Sequence, residues 1–125
     1  MTDEARALTG RPLRLRVYLD DRRWLGPGKA DLLALIGETG SIAAAGRRMG
    51  MSYKRAWTLA EALNAMFDAP LIESARGGVQ GGGAALTPLG HEVLARFRAI
   101  QDGAEKAAAA DIDALRRLSD MSRRK

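Results

Sequence analysis

The sequence predicts a mainly α-helical protein with a small β ribbon, on three observations. Apolar residues recur at helical spacing between residues 29 and 67, and again beyond residue 87. Glycine or proline closes each of the first three helical segments. Two strand-like stretches, "LIESA" and "AAL", bracket the glycine-rich run "RGGVQGGG".

The elements follow in order. Residues 1–11, "MTDEARALTGR", lack the apolar stretch of a secretory signal and read as a disordered arm. In "LRLRVYL" the residues Leu13, Leu15, Val17 and Leu19 alternate with Arg14, Arg16 and Tyr18, the period of a half-buried strand. "DDRR" reads as a turn, Trp24 and Leu25 as a short returning strand, and "GPG" as a stop. Leu32, Leu33, Leu35 and Ile36 then predict a helix from Lys29 to Glu38, closed by Gly40. Ser41 is an N-cap for "IAAAGRRM", which ends at Gly50, and Ser52 caps a third helix from Tyr53 to Phe67, broken by Pro70. After the strand pair, Thr87 and Pro88 stand in N-cap and first-turn order and open a helix of about thirty residues, with Gly103 its weak point. The final residues, 120–125, form a basic tail.

Composition narrows the function. At 125 residues the chain is one domain, long enough to bury a core unaided. It has no cysteine, which excludes disulfides, thiolate zinc sites and thiol nucleophiles. His91, the only histidine, has no metal partners by spacing and reads as a surface residue, while Asp111 and Asp113 diverge on a helix. No acid, base and nucleophile set emerges, so neither an enzyme nor a cofactor is expected. No apolar run reaches the roughly 18 to 20 residues of a membrane span, which predicts a cytoplasmic protein without a membrane partner. The formal net charge of +5 favours an acidic partner such as nucleic acid.

The segment "GSIAAAGRRMGMSYKRAW" concentrates that signal. Two short helices separated by "GMS" must cross steeply; Ala43, Ala44 and Ala45 give a small contact surface, and Gly50 suits the turn. Three helices followed by a glycine-tipped ribbon make residues 12–100 a winged helix-turn-helix DNA-binding domain, with 101–119 continuing its last helix. On the third helix Ala56, Leu59, Ala60, Leu63, Met66 and Phe67 share the core side, and Lys54, Thr58 and Glu61 point away. Tyr53 and Trp57 lie along one flank and Arg55 along the other, and Trp57 reads equally as a boundary core residue. Four basic residues and no acidic one lie between Ser41 and Ala60, as contact with phosphate requires.

Two stretches, "LLALIGETGSIAAAGRRMGMSYKRAW" at 32–57 and "PLIESARGGVQGGGAALTPLG" at 70–90, resemble the N-terminal DNA-binding domain of the ModE-type molybdate-responsive regulators of bacteria. That domain is a cousin of the LysR-type winged helix, and the likeness covers about residues 13–100. It implies a homodimeric transcriptional regulator on a palindromic operator in double-stranded DNA. DNA-facing roles pass to Ser52, Tyr53, Lys54 and Arg55, with Arg76 and Gln80 on the wing. Thr58 joins them by its outward position. The phosphate-holding set is Lys29, Ser41, Arg47 and Arg48, with Arg76 from the wing. Val93, Phe97, Ile100, Ala104, Leu115 and Leu118 form an apolar seam that a second copy's helix would cover. ModE-type proteins continue into oxyanion-binding modules of the molbindin type. No stretch here looks like one, so the expectation is a regulator without its own molybdate-binding domain, paired with a separate molybdate-sensing protein. The alternative is a DNA-independent module that heterodimerises with a full-length regulator and modulates it.

Overall fold

The computed structural model describes residues 11–75 and 83–123, with side chains as far as Ser119. Strand β1 (Val17–Tyr18) pairs antiparallel with β2 (Trp24–Leu25), Val17 opposite Leu25 and Tyr18 opposite Trp24. The alternation read from Leu13 to Leu19 holds as burial through Val17, with Leu13, Leu15 and Val17 half-buried between exposed arginines. Only two residues form a ladder, because the returning strand gives way at Gly26 to a helix and offers no further partner. Asp20 closes the turn: its carboxylate accepts from the backbone N–H groups of Arg22 (2.9 Å) and Arg23 (2.7 Å) and from Arg23 Nε (2.8 Å). Arg23 and these backbone donors hold the Asp20 carboxyl down to about 2, against an ordinary 3.8. A depressed carboxyl stabilises the folded state above its ordinary value. Asp20's contribution is therefore full near neutral pH and fades as pH falls from about 4 towards 2, a loss that D20N should remove from the acid limb of a stability–pH curve.

Helix α1 (Pro27–Thr39) starts where a stop was expected. Pro27 occupies its first turn, where the missing N–H is no loss, behind an extended Gly26. It buries Ala30, Leu32, Leu33, Leu35 and Ile36 and ends at Gly40, whose φ of 73° is left-handed. Ser41 Oγ accepts from Ala44 N (3.0 Å) to start α2 (Ile42–Arg48). A turn through Gly50, again at φ 73°, leads to Ser52, whose Oγ accepts from Arg55 N (3.1 Å) to start α3 (Tyr53–Met66). Both serines are therefore N-caps, as their positions predicted. The two helices cross with almost nothing between them: a Cβ on Gly46 would lie 2.7 Å from the Ala56 Cβ.

Strands β3 (Ile72–Ala75) and β4 (Gly83–Leu86) form an antiparallel ribbon, Ile72 opposite Leu86 and Ala75 opposite Gly83. Asn64 of α3 fastens its base: Oδ1 accepts from Leu71 N and Ile72 N, both at 2.9 Å, and Nδ2 donates to Ile72 O at 3.0 Å. Helix α4 (Pro88–Arg123) runs 36 residues, roughly 54 Å at about 1.5 Å per residue. Thr87 caps it, accepting from Gly90 N (3.0 Å) while its hydroxyl donates to Pro70 O (2.8 Å). Thr87 N in turn donates to Leu71 O at 2.9 Å. Thr87→Ala should cost about 1–2 kcal/mol in urea unfolding, with Thr87→Ser recovering most of it. Leu32, Leu33, Ile36, Leu63 and Leu71 are the largest fully buried side chains, so the core lies between α1, α3 and the ribbon's base. Among the described residues, no helix is long and apolar enough to cross a membrane.

Candidate nucleic-acid interface

The core decides which side of α3 faces outward. Ala56, Ala60, Leu63 and Met66 are buried, with Leu59 and Phe67 half-buried at the margin. Ser52, Tyr53, Lys54, Arg55 and Thr58 are all exposed. Ser52, Lys54, Arg55 and Thr58 converge on one shallow pocket of about 270 Å³. The ring of Tyr53 is well out in solvent, and Trp57, 45% exposed, is a surface indole rather than a core one.

Two larger grooves run along the flanks of α3, and they differ in charge. On the ribbon side Tyr53 and Trp57 line a groove of about 290 Å³ with Ser41, Ser74 and two carboxylates, Glu61 and Glu73. On the opposite side a groove of about 600 Å³ is lined by Arg14, Arg16, Lys29 and Arg55, with Trp24 among them and no acidic residue among the described residues that line it. Lys29 belongs to this groove: its Nζ donates to Trp24 O (3.1 Å) and lies 3.7 Å from the centre of the Trp24 ring. Arg16 stacks on the same ring, its Cζ 3.9 Å from the centre. Burial lowers the Lys29 pKa, and the neighbouring Arg16 charge lowers it further.

The remaining expected residues are dispersed. Arg47 and Arg48 are exposed at the end of α2, line none of these grooves, and Arg48 donates to Glu38 Oε1 at 3.3 Å. Arg76 and Gln80 lie outside the described residues. The apolar seam on α4 divides. Val93 and Phe97, expected as dimer contacts, are buried in the protomer's own core cluster with Leu25, 9% and 3% exposed, with Phe67 packed against that cluster. Ile100, Leu115 and Leu118 are exposed, and Ala104 is half-buried. Arg11, assigned by sequence to the arm, is tied to α4 by ion pairs to Asp102 (2.9 Å) and Glu105 (3.0 Å).

Sequence reading overlooked Arg14 and Arg16. Their alternation with Leu13, Leu15 and Val17 gave them a polar face, but only the fold brings that face beside Arg55, some forty residues away.

No family model matches the chain. It is 48% identical over 82 residues to the molybdenum-pterin-binding protein MopB of Rhodobacter capsulatus, covering 66% of this chain and 30% of MopB. It is 33% identical over 103 residues to the DNA-binding transcriptional dual regulator ModE of Escherichia coli K12, covering 81% of this chain and 39% of ModE. The chain thus spans about a third of the length of the curated relatives it matches. Among solved structures it is similar to full-length CbnR complexed with its target DNA, with a TM-score of 0.52, 25% identity, and coverage of 67% of this chain and 27% of CbnR. These likenesses support a molybdenum-related regulatory family and a fold that occurs in a DNA-bound protein.

Proposed function

We propose that this chain is a ModE-type winged helix-turn-helix that binds a palindromic operator as a homodimer and regulates transcription. The observation that carries the reading is the outward first turn of α3, where Ser52, Lys54, Arg55 and Thr58 share one surface. The likeness to ModE and to a protein solved on its target DNA supports it. In this reading α3 enters the major groove, and Lys54 or Arg55 donates to a guanine edge. Tyr53 and Thr58 add contacts beside them, and Arg47 and Arg48 hold phosphates. The β3–β4 ribbon acts as the wing. Ser41 contributes chiefly as the cap of α2, since its hydroxyl oxygen already accepts from Ala44 N. The exposed face of α4, with Ile100, Leu115 and Leu118, pairs with a second copy, so that two α3 helices meet half-sites about 34 Å apart. Catalysis and a cofactor have no part in this reading.

Selection of bound sequences from a random duplex pool, followed by gel-shift titration, tests the proposal. The selected site should be palindromic. Lys54→Ala should weaken it about 5- to 150-fold, the equivalent of roughly 1–3 kcal/mol, with thermal stability unchanged because the side chain is exposed. Equal affinity of variant and parent for that site would refute the assignment. The exposed leucines of α4 also suit a module that heterodimerises with a full-length regulator and has no DNA target of its own. Native mass spectrometry of the mixed proteins, combined with failure of the duplex selection, would favour that reading.

A further inference from the structure

We propose that the β1–β2 ribbon is a second phosphate-binding edge, which grips the duplex backbone beside the half-site on the flank of α3 away from the β3–β4 ribbon. The inference rests on the DNA-binding reading above and extends its footprint to residues that reading does not use.

Three separate stretches supply the cations. Arg14 and Arg16 lie just before β1 and are exposed, Lys29 stands in the first turn of α1, and Arg55 lies in the first turn of α3. All four line one open groove of about 600 Å³ with no carboxylate among the described residues that line it. Two of them are positioned by an indole instead of a counter-ion, with Arg16 and Lys29 each within 4 Å of the Trp24 ring centre. Stacking orders the side chains and leaves their positive charge uncompensated. The depressed Lys29 pKa has the same origin, burial followed by the charge of Arg16, and an anion in the groove would relieve it.

The groove's position favours a duplex over a small anion. Arg55 lines both this groove and the pocket of Ser52, Lys54 and Thr58, so the cationic surface continues without a break from the base-reading tip. Across α3 the charge is reversed, with Glu61 and Glu73 beside Tyr53 and Trp57. A polyanion seated on α3 is therefore drawn towards Arg14 and Arg16.

The test is a double variant, Arg14→Ala/Arg16→Ala, with Arg14→Ala alone as the variant that leaves the Trp24 stack intact. Each is titrated by gel shift over a range of salt concentrations on the selected site and on random duplex. Both should lose affinity equally on the two DNAs. The salt slope should become shallower by about one for the single variant and about two for the double, near 0.9 per phosphate contact. Hydroxyl-radical footprints should lose protection outside each half-site and keep it within. Arg14→Lys/Arg16→Lys should restore slope and footprint, since a phosphate accepts either cation. Unchanged slope and footprint in the double variant, from a parent that does bind DNA, would overturn this inference and leave the proposed function standing. A changed site preference would also overturn it, as would calorimetry showing that the variants lose inorganic phosphate binding with duplex affinity intact. A parent that binds no duplex at all would instead end the DNA-binding reading itself.

Discussion

Gly90→Ala should destabilise the protein by about 3 kcal/mol or more, lowering the unfolding midpoint by roughly 10 °C or leaving no cooperative transition. A Cβ at this position would fall onto the Leu71 carbonyl oxygen and lie only 3.1 Å from its carbon. Neither partner can yield cheaply. Leu71 is fully buried, its N–H donates to Asn64 and its carbonyl accepts from Thr87 N, so moving it breaks the junction between the two ribbon strands. Gly90 sits in the first turn of α4 with its N–H donating to Thr87 Oγ1, so moving it uncaps a 36-residue helix. Thermal and urea unfolding of G90A provide the check, and a midpoint within a degree of the parent would overturn this expectation. Gly103→Ala is the control, since nothing lies within 4 Å of a Cβ there, and it should be neutral or slightly stabilising.

Asn64→Ala comes next, at about 2–4 kcal/mol. One amide side chain serves two backbone donors and one backbone acceptor at the base of the ribbon, and Leu71 and Ile72 are too buried for water to replace it fully. Asn64→Asp should cost less than Asn64→Ala because it keeps the two accepting bonds, but it still destabilises, since its second oxygen faces the Ile72 carbonyl in place of a donor. Urea unfolding should rank parent, N64D and N64A in descending stability. The ribbon is anchored to α3 through this residue, so on the proposed DNA-binding reading N64A should also weaken operator binding beyond its loss of folded protein. An N64A variant as stable as the parent would mean that the three bonds contribute nothing net.

Local chemistry was legible in the sequence, and long-range placement was not. Gly40, Ser41, Gly50, Ser52 and the Thr87–Pro88 pair each act within three or four residues, and each marks the helix boundary or turn its residue type implies. Pro27 shows how a local signal can be ambiguous. Proline both ends helices and begins them, and here the leucine-rich face downstream decides for a beginning. The α4 stripe was read correctly as one side of a helix, but periodicity cannot say what covers each portion. Val93 and Phe97 meet their own domain, whereas Leu115 and Leu118 lie beyond its reach. Asn64 gave no signal, since a lone amide in an amphipathic helix has nothing nearby in sequence to identify its partners. The same limit applies to Arg14 and Arg16, whose significance depends on Arg55 across the fold.

The length of α4 has a mechanical consequence. Beyond Gly103 the helix continues for another twenty residues to Arg123, a cantilever of about 30 Å. Tilting such a beam by about 10° at its root displaces the far end by about 5 Å, more than one base-pair step along DNA (about 3.4 Å). If the chain pairs through α4 as proposed, stiffness at that root would set how much variation in half-site spacing the pair tolerates.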